Sequence, residues 1–332
     1  MGDSARAFWL SAVGEGELRS VALPEPGPDE VRVQTMFSAI SRGTELLVHA
    51  GRVPPSEYGR MRAPFQEGDF PGPVKYGYLN VGLVTGGVQR LLGRTVFCLY
   101  PHQSVYVVPA AAVTVVPESV PPARAVLAGT VETAVNALWD ARPLIGDRAS
   151  VVGAGMVGCC VARLLALMPG VDVELIDLDA ERAAVADALG VRFRRPAAAT
   201  GQRDLVFHTS GSGQGLQLCL DLLADEGEVI ELSWYGDGEL TLRLGGHFHS
   251  GRLAIRSSQV GRVAPARRDR RSSADRLQLA LELLADPAFD ALLGEPVDFG
   301  QLPSLFSALA AGGHGAPVPV ISYGTSDAPG KG

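Results

Sequence analysis

The sequence predicts an α/β protein built on a parallel sheet and preceded by a β-rich region. Three observations carry that prediction. Strand-like runs broken by Pro and Gly every 8 to 15 residues fill the first 120 positions. From Asp147 onward, strand-like and helical runs alternate, the pattern of a parallel sheet with crossover helices. A glycine-rich turn, VVGAGMVG (151–158), stands where the second pattern begins.

In chain order, VRVQTMF (31–37), VGLVTGGV (81–88) and SVYVVPAAAVTVVP (104–117) read as strands of the first region. The texture changes near Pro121. ASVVGAG then leads into a helix over 156–168, VDVELIDLD into a helix through 181–189, and DLVFHTSG into a helix near 216–223. EVIELSWYG and LAIRSSQVG complete the alternation. A helix over 275–285 follows, and residues 298–324 read as one more helix and a closing strand. The last eight residues, TSDAPGKG, are expected to be a loose tail. No internal repeat is visible.

At 332 residues the chain suits two domains. Its 46% hydrophobic and 20% charged residues are ordinary for a soluble globular protein, and a net charge of −7 argues against nucleic acid or an anionic membrane as partner. No stretch reaches the roughly 18–20 apolar residues that cross a bilayer, and residues 1–8 lack a secretory core. The four cysteines (Cys98, Cys159, Cys160, Cys219) show no Cys-x-x-Cys spacing and suit a reducing cytoplasm. The expectation is a cytoplasmic protein acting on a small molecule.

Gly153, Gly155 and Gly158 hold the G-x-G-x-x-G spacing, with a strand before and a helix after. Gly153 permits the tight turn, Gly155 lets backbone N–H groups approach a pyrophosphate, and Gly158 lets the helix pack on the strand. Met156 and Val157 complete the loop. Asp177, 19 residues after Gly158, is placed to accept the ribose hydroxyls and to repel a 2′-phosphate, which favours NAD over NADP. Arg182 is expected to line the adenosine ribose. Ser210, in HTSGSG at the carboxyl end of a strand, falls where loops touch a bound cofactor.

A β-rich start, SRGTEL (41–46), YGYLNVGLV (76–84), AVLAGTVETAVNAL (125–138) and the glycine fingerprint together resemble the medium-chain dehydrogenase/reductase superfamily. The resemblance covers nearly the whole chain. It implies a GroES-like catalytic domain formed by residues 1–128 and 293–325, a Rossmann domain at 129–292 inserted into it, and a flexible tail at 326–332. SRGTE and HSGRLAIRSSQVG are similar to the subgroup containing bacteriochlorophyllide hydroxyethyl dehydrogenase. The resemblance also implies a homodimer, paired through the edge of the last Rossmann strand.

The departures are informative. Zinc-dependent members hold catalytic zinc on a Cys, a His and a third Cys or Glu, and the matching positions here are Arg42, Tyr78 and Gly129. None of these supplies thiolate, imidazole or carboxylate, so no metal is expected. Tyr78 then stands where a metal ligand would face the reacting carbonyl, and its phenol either donates the proton or merely fills the volume. Thr44 matches the family's proton-relay hydroxyl and Thr133 a threonine near the nicotinamide. Lys75 or Arg42 is expected to supply a cation that assists Tyr78. Tyr76 reads as packing. Glu45 matches a nearby acid, and Glu132 is expected near the cofactor.

The resulting expectation is an NAD(P)-dependent enzyme. It is zinc-independent, uses NAD(H) and interconverts a secondary alcohol and a ketone in a biosynthetic pathway. A quinone or enoyl reductase using NADPH, and a non-catalytic nucleotide-binding protein, stand as alternatives. His247 and His249, with His102, offer a relocated metal site, and the arginine-rich run 262–276 offers either a solvated loop or an anion clamp. Ser210 and Ser212 show no His and Asp at a recognisable triad arrangement, which sets a hydrolase aside.

Overall fold

The structure, a computed structural model, describes residues 4–313 and 315–324. The expected tail at 326–332 lies outside them. The chain divides into two units, residues 1–129 with 293–332, and residues 130–292.

The first unit opens with β1 (Ser4–Ala12), β2 (Glu15–Ala22) and β3 (Glu30–Ala39), followed by α1 (Arg42–His49). Then come β4 (Glu67–Gly68), β5 (Val74–Lys75), β6 (Asn80–Gly87), β7 (Thr95–Cys98), β8 (Val105–Pro109), β9 (Val113–Val115) and a turn of helix, α2 (Pro122–Ala125). Helix α3 (Ala128–Ala141) carries the chain into the second unit. That unit holds β10 (Arg148–Val152), α4 (Met156–Ala166), β11 (Asp172–Ile176), α5 (Arg182–Ala188), β12 (Arg192–Arg194), β13 (Arg203–His208), α6 (Gly213–Leu222) and β14 (Leu223–Glu231). It ends with α7 (His247–Ser250), β15 (Ala254–Ser257) and α8 (Ser273–Leu283). The chain then returns to the first unit as β16 (Val297–Asp298), α9 (Leu302–Ala310) and β17 (Val320–Ser322).

In the first unit, a four-stranded sheet runs β2-β1-β5-β4, and a seven-stranded one runs β16-β17-β3-β6-β7-β9 with β8 also on β3. Strand β3 alternates apolar-in and polar-out over Val31, Val33 and Thr35, and that alternation fixes its register. Both sheets are almost wholly antiparallel. Val31, Val33, Val84, Val96 and Tyr106 form one of the cores, and Tyr106 stacks on Tyr100 at 3.9 Å.

In the second unit, six parallel strands run β12-β11-β10-β13-β14-β15. Numbered within the unit this is the order 3-2-1-4-5-6, the doubly wound dinucleotide-binding arrangement. Strands β10, β11 and β13 are covered on both faces and are accordingly near-continuous apolar runs. One charged cluster interrupts them. Arg203 (1% exposed) pairs with Glu174 at 2.9 Å and with Asp172 at 2.8 Å, while Ser150 and Thr200 satisfy the remaining Glu174 oxygens. The order reverses between β10 and β13, and the loops after their carboxyl ends are where such folds bind ligands.

Candidate functional site

In the first unit, the chemistry gathers around α1 and the segment after β5. Helix α1 begins after Ser41, and Glu45 in its first turn reaches back to accept the Ser41 N–H at 2.8 Å. The other Glu45 oxygen lies 3.0 Å from His102 Nε2, and both side chains are 1% exposed. His102 Nδ1 continues to Ser38 Oγ at 2.7 Å, and Ser38 Oγ to the Tyr323 hydroxyl at 2.9 Å. Gly77 lets the chain pass this ring: its φ is +134°, and a Cβ there would come within 3.0 Å of His102.

The turn at Gly77 sets Tyr78 edge-on to Tyr76, ring centroids 6.1 Å apart. The Tyr78 hydroxyl is hydrogen-bonded by Ser41 and Thr44. Burial and then the Glu45 charge push its pKa up to about 12, against the relief from those two hydroxyls. Tyr76 is buried, and its hydroxyl donates to the Met61 carbonyl at 3.2 Å.

Two expected assistants of Tyr78 are employed elsewhere. Lys75 is 1% exposed, and its ammonium is paired with Glu67, donates to Gln103 Oε1 at 2.9 Å and sits over the Tyr100 ring. Arg42 donates to the Gly313 carbonyl at 2.9 Å. The charge that acts on the phenol is the negative one of Glu45. Gly129, the third position matched to a zinc ligand, faces Leu79, whose Cδ2 lies 2.7 Å from where a Cβ would stand.

In the second unit, the glycine turn is tightly packed at two of its three glycines. Gly153 has φ +112°, and a Cβ there would strike Ser210 N and Thr209 Oγ1 at 2.7 Å. A Cβ on Gly158 would lie 1.8 Å from the Gly153 carbonyl oxygen. At Gly155, the N-cap of α4, a Cβ would meet nothing within 4 Å, so the backbone there is open. Met156 and Val157 begin the helix.

Asp177 holds this turn together. Its Oδ2 accepts the Ala154 N–H at 2.6 Å and its Oδ1 the Asp179 N–H at 2.8 Å. Each oxygen keeps a second lone pair. Arg182 lies 3.3 Å from Asp179. Thr133 is half-buried on α3. Its neighbour Glu132 pairs at 2.9 Å with Arg276, which also binds the Val260 and Arg262 carbonyls and Asn136. One arginine of the 262–276 run is therefore buried and structural, while the other five are exposed. Burial raises the Glu132 carboxyl, offset by Arg276.

At the ends of β13 and β14 the structure builds a cluster the sequence did not reveal. His208 and Glu231 are register partners on adjacent strands, with Nδ1 to Oε2 at 2.8 Å. His208 Nε2 lies 2.7 Å from Ser210 Oγ. The Tyr235 hydroxyl (2.8 Å) and the Ser233 N–H (2.7 Å) donate to Glu231. A Ser-His-acid constellation is present after all, with the acid a glutamate on the neighbouring strand. The relocated metal site is also corrected. His102 is committed to Glu45 and Ser38, His247 and His249 lie on the one-turn helix α7, and among the described residues no group of three or more His, Cys, Asp or Glu is placed to hold a metal. No described helix is long and apolar enough to cross a membrane.

No family model and no curated protein matches the sequence. Solved structures do match. A candidate zinc-binding dehydrogenase from Sinorhizobium meliloti 1021 bound to NADP aligns with a TM-score of 0.77 at 18% identity, over 96% of this chain and 99% of that one. A short chain alcohol dehydrogenase from Escherichia coli CFT073 complexed with NADH gives 0.75 at 15%, over 97% and 100%. The 2R,3R-butanediol dehydrogenase of Bacillus subtilis gives 0.75 at 16%, over 96% and 99%. At these identities the likeness is one of fold, and that fold is a Rossmann unit with a separate β-rich, GroES-like unit.

Proposed function

We propose that this chain is a zinc-independent, NAD(H)-dependent oxidoreductase that interconverts a secondary alcohol and a ketone. The observation that carries the reading is the phenol of Tyr78, held by Ser41 and Thr44 at the position that resemblance gives to a metal ligand. Arg42, Tyr78 and Gly129 are a guanidinium, a phenol and a glycine, which is not a zinc donor set. Dehydrogenase neighbours that carry NADP or NADH support a nicotinamide cofactor, and the Gly153–Gly158 turn with Asp177 is the part of this chain that fits one.

A bound nicotinamide supplies the hydride. The protein's part is to hold and protonate the oxygen. A phenol kept neutral up to about pH 12 donates a hydrogen bond to a carbonyl throughout the physiological range. Thr44 and Ser41 orient that phenol and offer the path by which it is reprotonated. Asp177 accepts the ribose hydroxyls and disfavours a 2′-phosphate, which makes NAD the preferred dinucleotide. The similarity of SRGTE to the bacteriochlorophyllide dehydrogenase subgroup supports a bulky ketone of biosynthetic origin. Strand β15 lies at a sheet edge with all four residues exposed, which supports homodimerisation there; an Ile255→Lys variant that elutes like the wild type would count against it.

The test follows nicotinamide absorbance with metal-stripped protein, offering NADH and NADPH against saturated ketones and conjugated enones. Oxidation of NADH by ketones is expected. Activity with enones and NADPH alone, or loss of activity on stripping metal, would overturn the reading.

A further inference from the structure

The cluster at the carboxyl ends of β13 and β14 is more than a satisfied buried histidine. Its three members differ in exposure in the way a nucleophile and its base require. Ser210 is exposed, His208 is 0% exposed and Glu231 is 9% exposed. The line of contacts is continuous: Ser210 Oγ to His208 Nε2 at 2.7 Å, and His208 Nδ1 to Glu231 at 2.8 and 3.0 Å. The Ser233 N–H and the Tyr235 hydroxyl hold the carboxylate, so it faces the ring with both oxygens fixed. With Nδ1–H donated to Glu231, Nε2 is left as the acceptor for the serine proton.

The loop leaves room for this serine and for no larger neighbour. A Cβ on Gly215 would lie 2.2 Å from Ser210 Oγ and 2.8 Å from His208 Nε2. Capping of α6 is done by Ser212, whose Oγ accepts the Gly215 N–H at 3.0 Å, so Ser210 is not needed for that purpose. Ser212 Oγ stands 3.1 Å from Ser210 Oγ, which sets the nucleophile beside the first turn of a ten-residue helix. First-turn N–H groups lack acceptors within their own helix, and the positive end of the helix favours a developing oxyanion. Leu240 packs against this turn, 3.4 Å from where a Gly213 Cβ would stand, and gives the site an apolar wall.

We infer that Ser210, His208 and Glu231 form a nucleophilic triad that takes acyl groups from small, uncharged carboxylic esters. Ser210 Oγ bonds to the ester carbonyl carbon as its proton passes to His208 Nε2. The bond to the leaving alkoxide breaks, and the alkoxide takes that proton. Water then attacks the acyl-serine, giving one proton to His208; the carbon–Oγ bond breaks, Oγ recovers the proton and the free acid leaves. No electron is gained or lost. His208 is the catalytic base and Glu231 is a positioning residue that fixes its tautomer.

The site lies wholly within the second unit and does not depend on the dehydrogenase reading. Because that reading places a dinucleotide at this loop, the test omits added dinucleotide. Full-length protein is incubated with a fluorophosphonate, and adducts are located by intact mass and peptide mapping. NADH binding, followed by fluorescence in separate aliquots, reports on the dehydrogenase reading by itself. One adduct on Ser210 is expected, absent from the Ser210→Ala variant, whose exposed site leaves the fold unaffected. His208→Gln should slow its formation by about 100-fold or more, and Glu231→Gln by less. No adduct on Ser210, or an adduct that forms as fast in His208→Gln as in the wild type, would overturn the triad.

Discussion

Glu45 and His102 meet at 3.0 Å, each 1% exposed, and this one contact ties the start of α1 to the segment after β7. Glu45 also holds the Ser41 N–H and is the negative charge that acts on Tyr78. Removing one partner of a buried pair leaves the other uncompensated. Glu45→Ala is therefore expected to cost about 3–5 kcal/mol in urea unfolding, and Glu45→Gln, which keeps a hydrogen-bond acceptor, distinctly less. Equal losses would show that charge plays no part in the pair.

Tyr78 carries a second expectation. Its folded pKa lies near 12 against roughly 10 in an unfolded chain, so the folded state binds the proton more tightly. The associated stability is whole below about pH 10 and is lost as pH rises from there towards 12. Carbonyl reduction should likewise show its alkaline limb above the ordinary tyrosine range. A limb near pH 7 would assign proton transfer to another group.

Replacing the phenol tests its chemistry directly. Tyr78→Phe is expected to lower carbonyl reduction by about 10²–10⁴ while leaving dinucleotide binding intact. Thr44→Val should give a smaller loss in the same direction. Lys75→Met should leave the rate unchanged, because Lys75 is turned towards Glu67 and Gln103. A large rate loss with a normal fold in Lys75→Met would contradict that assignment.

Gly155 and Gly158 separate binding from folding. Nothing in the protein lies within 4 Å of a Cβ on Gly155, so Gly155→Ala should melt like the wild type yet bind NADH at least about tenfold more weakly. At Gly158 the added Cβ would strike the Gly153 carbonyl, and Gly158→Ala should lower the melting temperature outright. Calorimetry and NADH titration on both variants decide the point.

Asp177→Ser removes the carboxylate that accepts the Ala154 N–H and that the proposed function sets against a 2′-phosphate. The ratio of kcat/KM for NADH over NADPH should fall by roughly tenfold or more. An unchanged ratio would place the cofactor discrimination elsewhere.

The parallel sheet was legible because its signal is local: apolar runs of strand length alternate with helical periodicity, and the glycine spacing sits between β10 and α4. What escaped depends on pairings that no short window contains. Glu231 lies 23 residues from His208, and only the β13–β14 register sets them face to face. The helix expected near 216–223 begins earlier, at Gly213, because Ser212 caps it. The metal site offered by His247 and His249 with His102 fails because the first two lie on a helical turn, where residues two apart diverge. Lys75 was read as an assistant of Tyr78, although its ammonium is paired with Glu67 and donates to Gln103. Tyr78 itself was found only through resemblance, since its spacing says nothing of Ser41 or Thr44.

The pairing of β17 with β3 joins Val320 to Ala39 across almost the whole chain, while the second unit is one continuous stretch. During synthesis, residues 130–292 can fold as soon as they emerge. The β-rich unit has to wait, with the β17-facing edge of β3 unpaired, until residues 320–322 are made. A nascent chain halted after residue 292 would carry a finished parallel-sheet unit and an open sheet edge in the other, a state exposed to aggregation.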